Sequence, residues 1–424
     1  MIAALAHSPP WQRAMSHVGE AAWDAVVVGG GPAGSTAALR LARSGLRVLL
    51  VERAAYPRDK ACGDLLIPDA QAALARSGLL ELVAAEALPV DDAVVSSPSR
   101  IEWSIPGSYL MLQRRRFDTL LAREAARAGA VVARGRVVRV TPRGDGRSDV
   151  HVRARRTPLA ARYVVLATGA DVSLLAGLGM LTRPSPTAVA VRAYVRLSGR
   201  GHARASGHAY PRRPGGDPLF ISFDRGIVPG YAWIFPLQQG LYNLGVGVLY
   251  DAHAPARHDL RRLFSTFCND VPAARRLLES AEEVGPVRGA LLRCGLNGAH
   301  PRGPGNVLAA GEQIGTTYPF TGEGIGKAME TGEMASEAVL RSLDGAGEEA
   351  LEGYARRVES ELRPRYRGYQ LAQRWLARPW LNDLVSRRLR RGGFLREAAQ
   401  GVVAERVDPA SIFSCRGLLR SLLG

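Results

Sequence analysis

The sequence predicts an α/β protein: a Rossmann-type nucleotide-binding domain with a parallel sheet, an antiparallel β-sheet inserted into it as a substrate domain, and a helical region at the C-terminal end. Three observations carry this expectation. The apolar strand Asp24 to Val28 runs into the turn Gly29-x-Gly31-x-x-Gly34 and then into a helical stretch, which opens a βαβ unit. Residues 184 to 285 change to alternating apolar positions with added aromatics and glycines, as in AVAVRAYVRL and YNLGVGVLY, the pattern of an antiparallel sheet. From about residue 346 the chain reads as helices with arginine in clusters, Arg356/Arg357, Arg387/Arg388 and Arg390/Arg391.

The elements follow in order. After the glycine turn comes a helix from Ser35 to Ser44, then a strand from Arg47 to Val51 that ends at Glu52. Helical periodicity returns at Phe117 to Ala128, strands are expected at Val131 to Val140 and His151 to Arg155, and Tyr163 to Thr168 is a buried strand. Beyond the insertion, Asn306 to Gly311 reads as another parallel strand and Gly322 to Leu343 as a long helix. The nucleotide-binding domain is therefore discontinuous, with residues 24–90, 112–180 and 287–345. The substrate domain takes 91–111 and 181–286, and 346–424 are helical. Residues 1–23, broken by Pro9 and Pro10 and lacking a signal-peptide pattern, are expected to be a flexible extension.

Composition excludes several classes. With 424 residues, 46% hydrophobic and 22% charged, the chain is a globular enzyme rather than a disordered or fibrous one. No apolar run reaches the roughly 18 residues of a membrane span. Cys62, Cys268, Cys294 and Cys415 lie far apart without a CxxC pair, so neither a disulfide framework nor a metal site is expected, and a reduced cytoplasmic setting fits. The net charge of +17 is almost all arginine, since Lys60 and Lys327 are the two lysines. Such an excess suits anionic partners, but a GC-rich coding sequence also raises arginine, and no zinc finger, RNP sequence or aromatic-interleaved basic strand accompanies it. No nucleic acid partner is expected, and nothing in the sequence signals an oligomeric state.

Two motifs carry chemistry on their own residues. In Gly29-Gly-Gly31-Pro32-Ala33-Gly34 the glycines let backbone approach a pyrophosphate at a helix N-terminus. Glu52, at the end of the next strand and followed by Arg53, can take both hydroxyls of an adenosine ribose, which disfavours NADP and leaves FAD or NAD. By contrast, Gly345-Ala-Gly347 follows a helix and reads as a loop. Tyr231, Trp233 and Phe235 alternate on a strand before Pro236, so all three aromatics share one face and form either sheet core or the wall of a large apolar pocket.

The run Tyr56-Pro-Arg-Asp-Lys60-Ala-Cys62-Gly63-Asp64, then Gln113-Arg114 to Asp118, Ala167-Thr-Gly169, Gly311-Glu312 and Pro319-Phe-Thr-Gly322-Glu-Gly324-Ile325 resemble successive signatures of the geranylgeranyl reductase family of flavoproteins, with the p-hydroxybenzoate hydroxylase-like fold. Tyr231-x-Trp233-x-Phe235-Pro236 with Gly245-x-Gly247 downstream is similar to the family motif that lines a lipid cavity, and the run around Cys62 is nearest to menaquinone-reducing members. The resemblance implies FAD, contacted at its phosphates by Arg114 and at its ribityl chain by Glu312. It puts Gly169 and Gly311 against the cofactor, and the turn from Pro319 to Ile325 at the flavin pyrimidine edge. Cys62 is a candidate for proton delivery beside the flavin, with a buried inert thiol as the alternative. Lys60 either orients flavin or substrate, caps a helix, or faces solvent.

The implied chemistry is stepwise reduction of C=C bonds in a polyisoprenoid or a similarly large apolar natural product. FAD would be reduced by NAD(P)H or another external reductant. Leu65 after Gly63-Asp64, Val172 after Asp171 and Glu312 in place of the more usual Asp depart from the family pattern. They keep open a redox-neutral cyclase that uses FAD as a scaffold for a polyketide, while the other rival on this scaffold, a flavin-dependent monooxygenase or halogenase of secondary metabolism, is weakened as a hydroxylase by Val172. Tyr231 and Phe235, where halogenases show a tryptophan and an isoleucine, argue against halogenation. The segment Gln373 to Arg391 mixes Trp, Leu and Arg at helical spacing, suited either to peripheral contact with anionic lipid at the inner face of a membrane or to packing on the FAD domain.

Overall fold

The computed structural model describes residues 8–20, 22–197, 216–249 and 259–413, so the expectations for residues 1–7, Cys415 and the end of the chain lie outside the described residues. The first part of the chain runs β1 (Gln12–Ala14), β2 (Trp23–Val28), α1 (Pro32–Arg43), β3 (Val48–Glu52), β4 (Leu65–Leu66), α2 (Pro68–Arg76) and α3 (Leu80–Ala84). It continues through β5 (Leu88–Ser96), β6 (Glu102–Met111), α4 (Arg114–Arg127), β7 (Val131–Arg134), β8 (Val137–Pro142), β9 (Ser148–Val152), β10 (Leu159–Leu166) and α5 (Ser173–Gly177). The middle part holds β11 (Ala188–Leu197), β12 (Leu219–Ser222), β13 (Tyr231–Pro236), β14 (Leu241–Leu249), α6 (Leu260–Asp270), α7 (Pro272–Glu279), β15 (Ala281–Val284) and β16 (Arg288–Leu292). β17 (Val307–Ala309) and α8 (Ile325–Arg341) follow, and then α9 (Gly347–Arg357), α10 (Arg363–Leu376), α11 (Pro379–Arg391) and α12 (Phe394–Val403).

Two sheets organise these elements. The first has the order β1-β7-β3-β2-β10-β9-β8 with β17 also on β10, and its centre is parallel. Its central strands carry unbroken apolar runs, Val26 to Val28, Val48 to Val51 and Val164 to Leu166, and every side chain of these runs is buried, with α1 packed on β2, β3 and β10 and Val152 of β9 meeting Val51 beside Gly135. The second sheet has the order β15-β11-β14-β13-β12-β5-β6-β4, with β16 also on β11, and is mostly antiparallel. Alternation along β13 sends Ala232 and Ile234 into a core shared with α6 and α7, and Trp233 and Phe235 into a core on the opposite face.

Several expectations need correction. Residues 8–20 are not a loose extension. Gln12 to Ala14 add a parallel strand to β7, Trp11 packs on Tyr56 with ring centroids 5.3 Å apart, and the Gln12 amide bonds the backbone of Ala54 and Tyr56. Pro10 ends before that strand begins and so costs it no ladder hydrogen bond. Val131 to Val140 is two strands, because the chain turns at Gly135, whose N–H donates to the Glu52 carbonyl at 2.9 Å. The first helix starts at Pro32, a residue whose fixed φ suits the first helical position, and the long helix starts at Ile325 rather than Gly322. Finally, the insertion is not all sheet: α6 and α7 cover one face of it, and α6 is capped by Asp259, whose carboxylate accepts the Arg261 and Arg262 N–H groups.

Candidate active site

One cavity of about 780 Å³ runs from the glycine turn after β2 to the C-terminal helices. At its nucleotide end the turn is shaped by close approach. Gly29 has φ +103°, and a Cβ on Gly34 would fall 1.9 Å from the Gly29 carbonyl oxygen, so α1 can start there only with glycine. Gly34 thus shapes the turn but does not itself line the cavity, whereas Gly29, Gly31, Pro32 and Ala33 do. Glu52 is oriented by the Gly30 N–H at 2.8 Å and the Ala54 N–H at 2.9 Å, which leaves each oxygen a further lone pair for ribose hydroxyls.

The charge facing this end is not the free arginine that the sequence suggested. Arg114 lines the cavity, but its guanidinium forms a bidentate pair with Asp118 at 2.8 and 3.0 Å, and its N–H donates to Asp64. Arg58, which lies in the Tyr56 to Asp64 run with no role implied for it, shares the same Asp118 at 2.7 Å, lies 3.7 Å from Glu52 and approaches Gly31. Both guanidinium groups are braced by buried carboxylates, Asp118 for the two of them and Glu52 for Arg58 as well, and they stand beside the glycine turn as fixed donors of the kind a pyrophosphate takes. Arg53 is mostly exposed and pairs with Asp171 at 3.2 Å.

Glu312 supplies the test of fit in the middle of the cavity. Its Oε1 is buried with no hydrogen-bond partner, its Oε2 is 3.5 Å from Lys60 Nζ, and Gly169 and Gly311 line the wall beside it. An unsatisfied buried carboxylate oxygen costs free energy unless a ligand donates to it, and the hydroxyls of a ribityl chain are such donors. The described residues fit FAD at four points: the glycine turn, the ribose carboxylate, the braced guanidinium donors and this orphan acceptor. Lys60 therefore neither caps a helix nor faces open solvent; it lines the cavity and neutralises Glu312.

The far end is aromatic. Phe235, Trp233, Tyr231, Phe223, Phe320 and Phe413 form a continuous run with successive centroids 6.2, 5.8, 6.1, 5.7 and 6.5 Å apart, and all six line the cavity. The sequence reading found only the first three, since the others come from a loop, a turn and the C-terminal segment with no shared periodicity. Pro236 does not line the cavity; it closes β13 in register with Tyr242. Pro319 also stays off the wall, although Gly322, Gly324 and Ile325 of the same turn are on it. Tyr231 ties the wall to that turn by donating to the Thr321 carbonyl at 2.5 Å.

The aromatic strand also holds Cys62. Trp233 Nε1 donates to Asn243 Oδ1 at 2.9 Å, and the Asn243 amide donates to the Cys62 carbonyl at 2.7 Å and to Asp64 Oδ2 at 2.8 Å. Tyr194 completes the network with a 2.6 Å bond to Asp64. Burial raises the Cys62 thiol above its ordinary value, against the lowering effect of Arg114, so the group keeps its proton at neutral pH. Gly63 lines the cavity next to Phe235. Among the described residues no His, Cys, Asp and Glu cluster could hold a metal ion.

A parallel sheet with a glycine turn, joined to a second sheet that walls an apolar chamber, defines a two-sheet FAD-dependent oxidoreductase. A profile described as an FAD binding domain matches residues 22–191. The menaquinone reductase of Mycolicibacterium smegmatis is 34% identical over 324 residues, 74% of this chain and 75% of the relative. Digeranylgeranylglycerophospholipid reductase 1 of Methanopyrus kandleri is 28% identical, covering 80% of this chain and 87% of the relative. Among solved structures, a geranylgeranyl bacteriochlorophyll reductase-like protein from Thermoplasma acidophilum superposes with a TM-score of 0.72 at 20% identity, covering 95% of this chain and 96% of that one. A flavin-dependent brominase shares the fold at a TM-score of 0.71 and 20% identity, covering 95% of this chain and 98% of that one. The chain belongs to the geranylgeranyl reductase family of FAD-dependent flavoproteins.

Proposed function

We propose that this enzyme reduces C=C bonds of a polyisoprenoid or a comparably large apolar natural product, bound in the aromatic chamber. The observation that carries this reading is the continuity of the cavity: the wall that begins at the glycine turn passes Glu312 and Cys62 and opens into a chamber lined by six aromatic side chains. When bound, FAD supplies the hydride, after reduction by NAD(P)H or another external donor. The chain's own residues do the rest. Arg58 and Arg114 offer guanidinium donors to the phosphates, Glu52 and Glu312 accept from the sugar and ribityl hydroxyls, and Lys60 fixes Glu312. The aromatic run excludes water and holds a prenyl chain extended, with Cys62 held at the chamber's inner end by Asn243.

The relatives named as menaquinone and digeranylgeranylglycerophospholipid reductases support this substrate class, and a tailoring role in natural-product biosynthesis uses the same chamber. The brominase likeness favours a second reading, oxygen-dependent chemistry on the same scaffold. One experiment separates them: FAD-loaded, pre-reduced enzyme is incubated with menaquinone and geranylgeranyl lipids without oxygen, then in air, and the products are weighed by mass spectrometry. Two added hydrogens per double bond under anaerobic conditions support the reductase. An added oxygen in air with no anaerobic product replaces it with an oxygenase, and unchanged mass in both refutes reduction of these lipids.

Substrate of this kind is stored in membranes, and α11 is the surface we assign to peripheral contact. Trp380, 65% exposed, and Leu384, 37% exposed, share one face with Arg387 and Arg391, at spacings of four, three and four residues. The opposite face, with Val385 and Leu389, walls the cavity.

A further inference from the structure

Saturating a double bond consumes a proton as well as a hydride, and a buried carboxyl that the sequence reading passed over stands on the cavity wall. Glu323 lies in the turn before α8 and is 9% exposed. Both hydrogen bonds it accepts fall on Oε1, from the N–H groups of Ile325 at 3.0 Å and Gly326 at 3.3 Å, which fixes the carboxyl at the start of α8. Asp69 of α2 crowds the same turn: a Cβ on Gly326 would meet Asp69 Oδ2 at 2.2 Å, and this oxygen is buried without a hydrogen-bond partner.

The charges around this pair do not balance. Lys327 of α8 contacts Asp69 at 3.0 Å, Glu330 at 2.5 Å and Glu405 at 2.9 Å, and Arg365 of α10 contacts Glu405 at 2.7 Å. With Glu323 this makes four carboxyls against two cations in a site largely shut off from water, where uncompensated charge is expensive. Asp69, Glu330 and Glu405 each touch Lys327, and among the described residues Glu323 pairs with no cation. Burial pushes the Asp69 carboxyl up to about 7 as well, but the Lys327 ammonium at 3.0 Å opposes that rise, whereas no cation opposes it at Glu323, so Glu323 is the group placed to carry the proton. The remaining ionisable neighbours are Tyr318, Tyr366, Tyr369, Tyr231, Cys62 and Cys294, all hydroxyls or thiols raised by burial, and none adds a positive charge. Burial, with Asp69 and Glu405, pushes the Glu323 carboxyl up to about 8.

We propose that Glu323 is the acid of this site, holding a proton at neutral pH and delivering it to the substrate; this deepens the reductase reading and rests on it. One alkene carbon takes a hydride with its electron pair from the reduced cofactor. The π electrons bind the Glu323 proton at the other carbon, and Glu323 is left as a carboxylate that water reprotonates. Asp69 acts as a positioning residue, since its charge keeps the proton on Glu323. Cys62 then serves the shape of the chamber.

The test is an infrared difference titration of the FAD-loaded protein from about pH 5 to about pH 10, wild type against Glu323→Gln. A carboxylic acid C=O band that fades with a midpoint near 8, and that the variant lacks, is the expected result. Identical spectra would overturn the proposal. Asp69→Asn, which keeps Glu323, is expected to move the midpoint to lower pH, and an unmoved midpoint breaks the link between the two carboxyls. In pre-reduced enzyme Glu323→Gln is expected to slow product formation about 100-fold at unchanged FAD affinity, and an unchanged rate refutes the role. If wild type reduces no prenyl double bond, the reductase reading fails, while the infrared band still decides whether Glu323 holds a proton.

Discussion

Trp233 shows how one residue links the sheet to the site. Its ring lies flat against β14, where a Cβ on Gly245 would come within 2.0 Å of it, and its N–H reaches Asn243. Gly245→Ala forces the ring away from the strand and is expected to cost about 1–3 kcal/mol in chemical denaturation, by overpacking. Asn243→Leu leaves the Trp233 N–H without its acceptor and the Cys62 carbonyl and Asp64 without their shared donor, all in buried surroundings. We expect a loss of about 1–3 kcal/mol for each group left unsatisfied, together with weaker binding of prenyl substrate, read by denaturation and by substrate titration of the same variant. Glu312→Ala removes the orphan acceptor and leaves Lys60 unpaired, so FAD affinity, followed by flavin fluorescence, is expected to fall while the fold persists.

At the scale of elements, α11 is held from inside and free outside. Asp383 accepts from the Ser97 hydroxyl at 2.6 Å and from the Ser99 N–H and hydroxyl at 2.8 and 2.6 Å, which pins the helix to the turn between β5 and β6. The outward face with Trp380, Leu384, Arg387 and Arg391 is then presented in one orientation. Flotation with vesicles containing anionic lipid is expected to recover wild type at low salt and to lose it as salt rises, since each arginine near such a surface contributes about 1 kcal/mol that ions screen. Trp380→Ser with Leu384→Ser should abolish flotation at any salt and leave the thermal midpoint unchanged, because neither side chain is in the core. Flotation equal to wild type would remove α11 from the membrane-contact reading.

For the whole molecule, Lys327 joins three separate parts of the chain: α2 through Asp69, α8 itself, and the segment after α12 through Glu405. Lys327→Met leaves three buried or half-buried carboxylates without their shared cation, and is expected to cost about 3–5 kcal/mol. Stability should also carry the mark of Glu323. Its pKa rises from 4.5 to about 8 on folding, so between these values the native state binds more protons than the unfolded one. The contribution is fully present below about 4.5 and is lost as the pH climbs through about 8. In a thermal scan of FAD-free protein, wild type is expected to lose stability relative to Glu323→Gln across this window. Parallel pH profiles would place Glu323 at its ordinary value.

The sequence by itself determined the parts that repeat a local rule. The glycine turn with Glu52, the central apolar strands and the alternation that puts Trp233 and Phe235 on one face follow from backbone sterics and a period of two, which neighbouring residues suffice to express. Residues 260–279 were missed as helices because they lie within a segment read as sheet, and the strand near Gln12 because its partner, β7, lies more than a hundred residues away. Only the tertiary structure decided the contents of the site. Arg58 meets Arg114 over Asp118, Phe413 extends a wall begun at Phe235, and Glu323 stands among charges drawn from α2, α8, α10 and the segment after α12. Charge balance and burial are properties of the groups gathered at one point in space, and no stretch of chain contains more than a few of them.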